Sequence, residues 1–461
     1  MVIRSLRAIS ELSPCLIFRV PVTALLGAAL LAAATAVQGA DLLDIYRQAR
    51  ESDAGYAAAR ATWAATQEKL PQGRAGLLPQ ANLSASTQYN DRDIRFRNPA
   101  TPDAAGQFNS NSWSVSVSQP LYRKQNQVTY EQSKVQVEQA DSQLALAGQD
   151  LMLRVAQAYF DVLLAHDNVA FAAAQKTAIA EQLAQAKRNF EVGTATITDT
   201  HDAQARYDLT VAQEIAAQND LEIKRRQLAQ IIGRDAPELA SLGKNLTFAQ
   251  PSPADVGQWV EQASAANLQV QINQAGLRIA QQEIEKSRGA HHPTLDAFAS
   301  YTDSASGSGI QGGFGTDTTT RVVGLQLAIP IYQGGATSSR VREALANQEK
   351  ARHDLENARR AAELATRQSF LGVANGVAQV KALQAALVSS QSSLDSTRLG
   401  REVGVRTQVD VLNAQQQLFS TRRDLAQATY NYLLSLLRLK GAVGTLAEDD
   451  LVKINAWLER K

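Results

Sequence analysis

Two very long stretches of this chain contain no proline, and this feature constrains its fold more than any other. They are residues 121–236 and 331–461, both rich in Ala, Gln, Leu and Glu. Residues 123–189 hold a single glycine, Gly148. Because loops are built mainly from glycine, proline and small polar residues, residues 123–189 are predicted to form one helix of about 100 Å, at 1.5 Å per residue. Several ordinary helices joined by unmarked loops are the alternative. A single helix as long as the one predicted for residues 123–189 must pack against other helices as a coiled coil.

Four segments alternate with a period of two residues, which is typical of β-strands. Trp113, Val115 and Val117, for example, alternate with four serines in 112–118. Strands of about ten residues are expected near 79–90, 112–121, 293–302 and 321–331, joined in pairs by the loops 90–111 and 302–320. One face would be as polar as a barrel lumen and the other as apolar as a lipid-facing wall. A β-sandwich, which also alternates, is the alternative.

The order of these segments occurs twice, which indicates an internal duplication. Val192-Gly193, after the first long helical stretch, recurs as Val403-Gly404, 211 residues later. The starts and ends of the strand pairs recur at similar offsets, 214 and 210 residues. Each repeat would contain two barrel strands, a long helix, a Val-Gly turn and a further helix. The predicted repeats are 41–250 and 251–461, the second ending in a C-terminal equatorial segment.

Residues 1–40 have the composition of a secretory signal peptide. Three arginines precede an apolar stretch over 20–36. Cleavage after Gly39 or after Ala40 is expected, and it would remove the only cysteine, Cys15. A mature chain without cysteine suits an oxidising compartment. A signal anchor that stays attached is the alternative, although the stretch is shorter than the roughly 20 apolar residues that span a bilayer.

Charge and hydropathy exclude two broad classes of protein. The net charge is +1, from 46 basic and 45 acidic residues, which argues against a partner that is a nucleic acid. The mean hydropathy, −0.23, is too polar for a bundle of membrane-spanning helices.

Lipid tolerates a β-sheet only when it has no open edge, and a closed membrane barrel needs about eight strands or more. Three chains together would supply twelve strands, and a barrel continued by such long helices would be a passage.

Short motifs along nearly the whole chain carry a family resemblance. They are residues 41–50, 77–80, 158–163, 329–335, 409–412 and 430–433, which read DLLDIYRQAR, LLPQ, AYFDVL, IPIYQGG, VDVL and YNYL. In this collinear set the chain resembles the TolC family of outer-membrane channel proteins, which serve type I secretion and drug efflux. The resemblance implies a mainly α fold with a membrane β-barrel: a homotrimer with a shared twelve-stranded barrel, a coiled-coil helical tunnel in the periplasm, and a mixed α/β equatorial band near 233–275 and the C-terminus.

The same resemblance implies a location and partners. The protein would lie in the outer membrane of a Gram-negative bacterium, surrounded by outer-membrane lipid. It would work with a periplasmic adaptor (membrane fusion) protein and with an inner-membrane transporter, either of the ABC type or a proton-driven efflux pump. The expected function is an exit duct for secreted proteins, small toxic molecules or both.

The resemblance also implies a gate at the periplasmic ends of the helices. In the family, an arginine after the second Val-Gly turn bonds to a Thr-Asp pair of a neighbouring subunit. The matching residues in this chain are Arg406, Thr198 and Asp199. For each of them an ordinary solvated side chain at a helix end is the alternative.

Three further positions of the family fall near the second turn. Asp410 matches the first of two acidic rings, whereas the second falls on Asn413, so one ring would keep its polarity and lose its charge. The aromatic residue of the constriction falls on Arg401, which is a departure. Either the constriction of this protein uses a charged residue, or the alignment of this chain with the family is shifted by one residue at this point. The turns implied to contact the adaptor are Val192, Gly193, Val403 and Gly404.

The sequence gives no reason to expect catalysis, a cofactor or a metal. Residues 307–312 match the dinucleotide-binding pattern Gly-x-Gly-x-x-Gly, but without a βαβ unit they are expected to be a hairpin loop. The five histidines have no metal-ligand spacing. A periplasmic coiled-coil structural or adaptor protein remains an alternative function, and a secreted enzyme is a third. The four strands and the duplication count against the coiled-coil alternative.

Overall fold

The computed structural model describes residues 39–459 except 99, 101–102, 244–245 and 308–313. The predicted signal peptide therefore lies outside the described residues apart from Gly39 and Ala40. The Gly-x-Gly pattern likewise lies outside them, except for Gly307.

The elements in the described ranges follow one order twice. The helices are α1 (Leu42–Ser52), α2 (Ala54–Gln67), α3 (Lys69–Ala75), α4 (Lys124–Glu191), α5 (Ile197–Ile232), α6 (Val256–Ala266), α7 (Leu268–Gly289), α8 (Ala336–Glu402), α9 (Gln408–Val443) and α10 (Glu448–Asn455). The strands are β1 (Gln80–Ile94), β2 (Ala104–Tyr122), β3 (Ser241–Leu242), β4 (Thr294–Ser306), β5 (Thr316–Ala328) and β6 (Leu458–Glu459). In each half, shorter helices precede a pair of strands, a very long helix and a helix of 36 residues.

The two very long helices confirm the prediction made from the missing prolines. α4 has 68 residues and α8 has 67, so each spans about 100 Å at 1.5 Å per residue. Neither helix is interrupted by a loop. α4 packs along α5, and α8 packs along α9, so that each half forms a long helical hairpin.

Four strands form one antiparallel sheet in the order β1-β2-β4-β5, which leaves β1 and β5 at its edges. Residues directly opposite each other in the register share a face, so the two faces can be assigned. The apolar face carries Leu83, Ala85, Trp113, Val115, Val117, Ala297, Ala299, Tyr301, Val323, Leu325 and Leu327. The other face carries Ser84, Ser86, Ser112, Ser114, Ser116, Ser300, Thr302, Ser304, Thr318 and Thr320.

The strands are longer than the expected ten residues, so the predicted loop lengths were wrong. The four strands have 15, 19, 13 and 13 residues, and the connections shrink to 95–103 and 307–315. The ladder hydrogen bonds join backbone groups and do not depend on apolar side chains. Polar side chains add bonds across this outer part of the sheet, as between the Tyr89 hydroxyl and Gln107 Oε1 at 2.7 Å.

The largest apolar core surrounds the middle of the long helices. Tyr159 and Phe160 of α4 pack edge to face, with ring centroids 5.7 Å apart, and Phe160 lies 5.8 Å from Tyr430 of α9. Two of the motifs that carry the family resemblance therefore meet in one cluster. The Tyr159 hydroxyl donates to the carbonyls of Ala240 and Ala40, at 2.9 and 3.2 Å, which fixes the start of the described chain to this core.

Short elements form a band around this core. β3 pairs with β6, and the buried side chains of α1, α6 and α10 belong to the same cluster. This is the mixed α/β band that the family resemblance implied near 233–275 and the C-terminus.

An ion pair joins this band to the long helix. Arg154 of α4 donates to both carboxylate oxygens of Asp53, at 3.0 and 3.1 Å, and the Asp53 side chain is only 8% exposed. Asp53 also caps α2 by accepting from the Tyr56 N–H at 2.7 Å. The hydrogen bonds from Arg154, helped by the one from Tyr56, hold the pKa of Asp53 below its ordinary value of 3.8.

We expect Asp53→Asn to lower stability by about 1 kcal/mol and Asp53→Ala by about 2 kcal/mol, because asparagine keeps the cap whereas alanine loses it as well. A lowered pKa contributes stability above 3.8 that is lost as the pH falls through the folded-state pKa. The melting-temperature gap between wild type and Asp53→Asn should therefore be full at pH 7 and close in acid. A gap that persists in acid would contradict the ion-pair explanation.

Candidate functional site: the helical tips

The two helical hairpins end in turns of the same geometry. Gly193 and Gly404 have φ angles of 77° and 82°, a conformation that glycine adopts without steric cost. The Thr194 N–H donates to the Asn189 carbonyl at 2.8 Å, and the matching bond in the second turn is also 2.8 Å long. This is the glycine cap that satisfies the last carbonyls of a helix. The Val-Gly motif thus ends α4 and α8 in the same way.

Each following helix begins with a capping box, which our sequence analysis missed. The Asp199 N–H donates to the Thr196 hydroxyl at 3.2 Å, and the Thr196 N–H donates to the Asp199 carboxylate at 3.0 Å. Thr407 and Asp410 form the same pair, at 3.2 and 2.8 Å. The Thr-x-x-Asp pattern was the signal that could have revealed both. Both aspartates therefore have a local structural role at the start of a helix.

The electrostatics of Asp410 follow from this cap. The backbone N–H of Thr407, and next its hydroxyl, donate to the carboxylate and hold the pKa of Asp410 below its ordinary value, with a smaller contribution from Arg406. Asp410 is therefore ionised at neutral pH. A ring of this residue would carry the negative charge that the family resemblance implies.

A depression of about 490 Å³ lies between the tips of the two hairpins. Arg401 crosses it, donating from Nη1 to Gln185 Oε1 at 3.0 Å and to Gln182 Oε1 at 3.3 Å. Gln408 donates to the same Gln182 oxygen at 2.8 Å. Arg401, the residue at the predicted constriction, thus ties α8 to α4 within one chain. Sequence reasoning did not find Gln182 or Gln185, whose role appears only when the two hairpins are side by side.

The residues of the predicted lock are close together but are not bonded within the chain. Arg406 and Asp199 both line this depression, whereas Thr198 is exposed on α5. The Asp199 carboxylate is occupied by Thr196. The bond that the resemblance implies would join two subunits, so it remains a prediction.

Asn413, at the position of the second acidic ring, has a partner that the sequence did not reveal. Its Oδ1 accepts from Arg206 Nη2 at 2.7 Å, and Arg206 Nη1 donates to Gln416 Oε1 at 3.1 Å. Arg206 lies on α5, 207 residues away in the chain. The structure thus places a positive charge beside Asn413, the residue at the predicted position of the second ring.

The turns themselves expose apolar side chains. Val192, Val403 and Val405 are 73%, 67% and 75% exposed. Apolar groups exposed together at one end of a protein indicate a contact surface. Their predicted contact with an adaptor remains a prediction. Among the residues that the structure describes, no cluster of His, Cys, Asp and Glu could hold a metal ion.

The family model described as "Outer membrane efflux protein" matches residues 45–234 and 259–445. These two matches cover most of the chain. The protein belongs to that family.

TolC of Vibrio cholerae is 35% identical over 434 residues, which are 94% of this chain and 97% of that protein. The proteases secretion protein PrtF of Dickeya chrysanthemi is 31% identical and covers 92% of both chains. The solved structure of the outer membrane protein VceC from Vibrio cholerae has the same fold, with a TM-score of 0.75 at 17% identity, over 87% of this chain and 96% of that one.

The family and these relatives identify the chain as an outer-membrane channel protein of secretion and efflux, with its helical tunnel in the periplasm. The expected function and location, an outer-membrane exit channel of secretion and efflux, are therefore confirmed. The relatives are channels, so neither the coiled-coil adaptor nor the secreted enzyme is supported.

Proposed function

We propose that three copies of this outer-membrane channel protein form one exit duct, in which their twelve strands close a shared β-barrel. The observation that carries this proposal is the four-stranded sheet with an edge at β1, an edge at β5 and an exposed apolar face. On that face Val323 is 86% exposed and Leu83 is 73% exposed. Lipid would cover such a face, but it offers no hydrogen-bond partner, so every backbone group at the sheet edges must be paired by protein. Pairing β5 of one copy with β1 of the next satisfies both requirements.

The opposite face of the sheet supports a water-filled lumen. Its hydroxyls bond to one another across the strands, as between Ser84 and Ser114 at 2.8 Å and between Ser86 and Ser112 at 2.9 Å. The four central rows of this face carry no charged residue. A wall of hydroxyls binds water without attracting one sign of charge. The barrel would therefore admit varied cargo, and charge selection would fall to the helical tips.

The helical part supports a tunnel made of neighbouring hairpins. Leu209, Ile215, Leu364 and Val388 are between 56% and 68% exposed, and the hairpins of adjacent copies would cover them. By length and composition α8 could also cross a membrane, since one 18-residue window has a mean hydropathy of 1.2. We assign its apolar residues to the tunnel seam, because α8 packs against α9 as one hairpin.

The cargo would be proteins, small toxic molecules or both. One relative is named for the secretion of proteases, and the family is named for efflux. The duct would be passive, with no enzymatic activity, cofactor or metal of its own. An inner-membrane transporter, of the ABC type or proton-driven, would supply the energy, and a periplasmic adaptor would join the two by contacting the exposed Val-Gly turns.

The tips would close the duct at rest. A barrel is a fixed hydrogen-bonded wall, whereas helix ends can move, so the gate belongs at the tips. A bond from Arg406 to Thr198 and Asp199 of a neighbouring copy would be worth about 1.5–3 kcal/mol. Three such bonds would keep the open state rare yet within reach of adaptor binding.

The first test is assembly. The mature protein, extracted from outer membranes in detergent, should have the mass of a trimer by native mass spectrometry and should form conducting pores in planar bilayers. The trimer should dissociate only on heating. A monodisperse monomer with its full strand content by circular dichroism would contradict the shared barrel.

The second test concerns the lock. Arg406→Ser combined with Asp199→Ala should raise single-channel conductance several-fold and leave the trimer intact, because the closing bonds are lost. Since Asp199 also caps α5, the matched control is Thr196→Ala, which removes the hydroxyl bonds of the capping box but keeps the carboxylate. Equal conductance of the double variant and wild type would place the lock elsewhere.

The third test concerns charge selection. Asp410→Asn should reduce cation selectivity, measured as the reversal potential in a salt gradient, because a ring of three carboxylates favours cations. Thr407→Ala is the matched control, since it removes the hydroxyl of the same capping box and keeps the Asp410 carboxylate. If both variants shift the reversal potential equally, the effect comes from the caps and not from an Asp410 ring.

A further inference from the structure

Two aromatic side chains of the apolar face, Tyr122 and Trp113, would mark the limits of the membrane in the proposed barrel. At the helix end, a β-bulge between Pro120 and Tyr122 places Tyr122 opposite Leu295. At the hairpin end, Trp113 lies opposite Asp303. The eight residue-to-residue steps from Leu295 to Asp303 in β4 span about 26 Å along the strand, or about 20 Å along the membrane normal at a tilt of about 40°. That is close to the apolar band of about 25 Å between the aromatic girdles of membrane barrels.

The helices leave the sheet toward the periplasm, so the Trp113 level is the outer boundary. This placement rests on the proposed barrel.

A single arginine lies on the apolar face beside this outer boundary. Arg321 of β5 is directly opposite Tyr301, and its guanidinium carbon lies 5.4 Å from the centre of the Tyr301 ring. That ring lies 5.2 Å from the ring of Trp113. We call these three residues the Arg321 cluster. Long cationic side chains near the edge of a membrane extend toward the headgroups.

Arg321 has no ion-pair partner in the part of the chain that the structure describes. Among the residues that the structure describes, none forms a hydrogen bond or an ion pair with its guanidinium, which stacks only on Tyr301. Asp303, in the adjoining row, accepts from the Thr319 hydroxyl at 3.0 Å. A guanidinium on a lipid-facing wall is costly without an anion. Its planar fork of donors matches the oxygens of a phosphate.

We propose that the Arg321 cluster binds the phosphate of a phosphorylated glycolipid of the outer leaflet, of the lipid A type. Arg321 holds the phosphate, and the two rings lie where the acyl chains meet the headgroup. A depression of about 390 Å³ beside Trp113, lined also by Thr87, Asn111 and Asp303, offers polar groups to the sugar. Asp303 suits a hydroxyl or amide donor of the headgroup and keeps the phosphate on the Arg321 side. A trimer has three such sites.

The competing partner for Arg321 is an acid on a neighbouring copy. In the shared barrel β5 lies beside β1 of the next copy, and Asp91 of β1 belongs to the apolar face. An ion pair between Arg321 and Asp91 would neutralise both charges without lipid. The experiment must therefore separate a lipid site from a bond between subunits.

The test compares lipid binding to the intact trimer, by native mass spectrometry of wild type, Arg321→Gln and a matched control. The control is Arg92→Gln, because Arg92 stacks on Phe108 at 4.9 Å on the polar face of the same sheet. Each trimer is freed of lipid and titrated with phosphorylated lipid A, with dephosphorylated lipid A and with inorganic phosphate. Conductance in planar bilayers is measured for every variant.

Wild type and Arg92→Gln should bind up to three phosphorylated lipid A molecules, and Arg321→Gln should bind them about tenfold more weakly. Dephosphorylated lipid A should bind wild type about as weakly as phosphorylated lipid A binds Arg321→Gln. Millimolar inorganic phosphate should not displace the lipid. Equal binding by Arg321→Gln and wild type would overturn the inference, and so would displacement by inorganic phosphate, which would indicate a general anion site.

The ion pair has its own signature. If Asp91→Asn and Arg321→Gln lower the melting temperature of the trimer equally, and the double variant lowers it no further, Arg321 serves the subunit contact and the lipid proposal is wrong. If Arg321→Gln trimers conduct normally, the proposed barrel is supported, whether or not the variant binds lipid A. A wild type that forms no trimer would instead refute the proposed function itself.

Discussion

Lipid offers no partner for a backbone N–H or carbonyl group, and this constraint governs the rest of the molecule. One chain supplies a sheet with an apolar face and two unpaired edges, which is stable in a membrane only if the edges meet those of other copies. Each long helix follows a strand within a few residues, so closing the proposed barrel would also bring the helical hairpins together. In the proposed duct, barrel and tunnel depend on the same pairing of strand edges.

The aromatic cluster at the middle of the helices plays a different part. Tyr159, Phe160 and Tyr430 join the two long hairpins, and the Tyr432 hydroxyl bonds to the backbone carbonyl of Ala249 at 3.1 Å. Burial, helped by a bond to Asp167, raises the pKa of Tyr430, so these phenols stay neutral and act as hydrogen-bond donors. The motifs that carry the family resemblance here are thus packing motifs. They fix the two hairpins to each other at one level, far from the tips.

The tips show how a duplication can yield two roles from one local structure. Both turns use the same glycine cap and the same Thr-Asp capping box, so their backbone geometry is nearly identical. The side chains differ at the position before the capping threonine, which is Ala195 in the first turn and Arg406 in the second. Only the second turn carries the arginine of the proposed gate. The caps hold each helix start, so the proposed gate bond would break without unwinding the helix.

The sequence by itself determined the features that depend on neighbours along the chain. Missing helix breakers dictate α4 and α8, two-residue alternation dictates the strands of the sheet, and Val-Gly followed by Thr-x-x-Asp dictates each turn and the cap after it. Only the tertiary structure decided the lengths of the strands, because ladder bonds join backbone groups whatever the side chains are. It also decided that Arg206 meets Asn413 and that Arg321 meets Tyr301, since these contacts depend on how α5 crosses α9 and on the register of β4 with β5. No local pattern records such contacts, because each partner is set by packing between segments far apart in the chain.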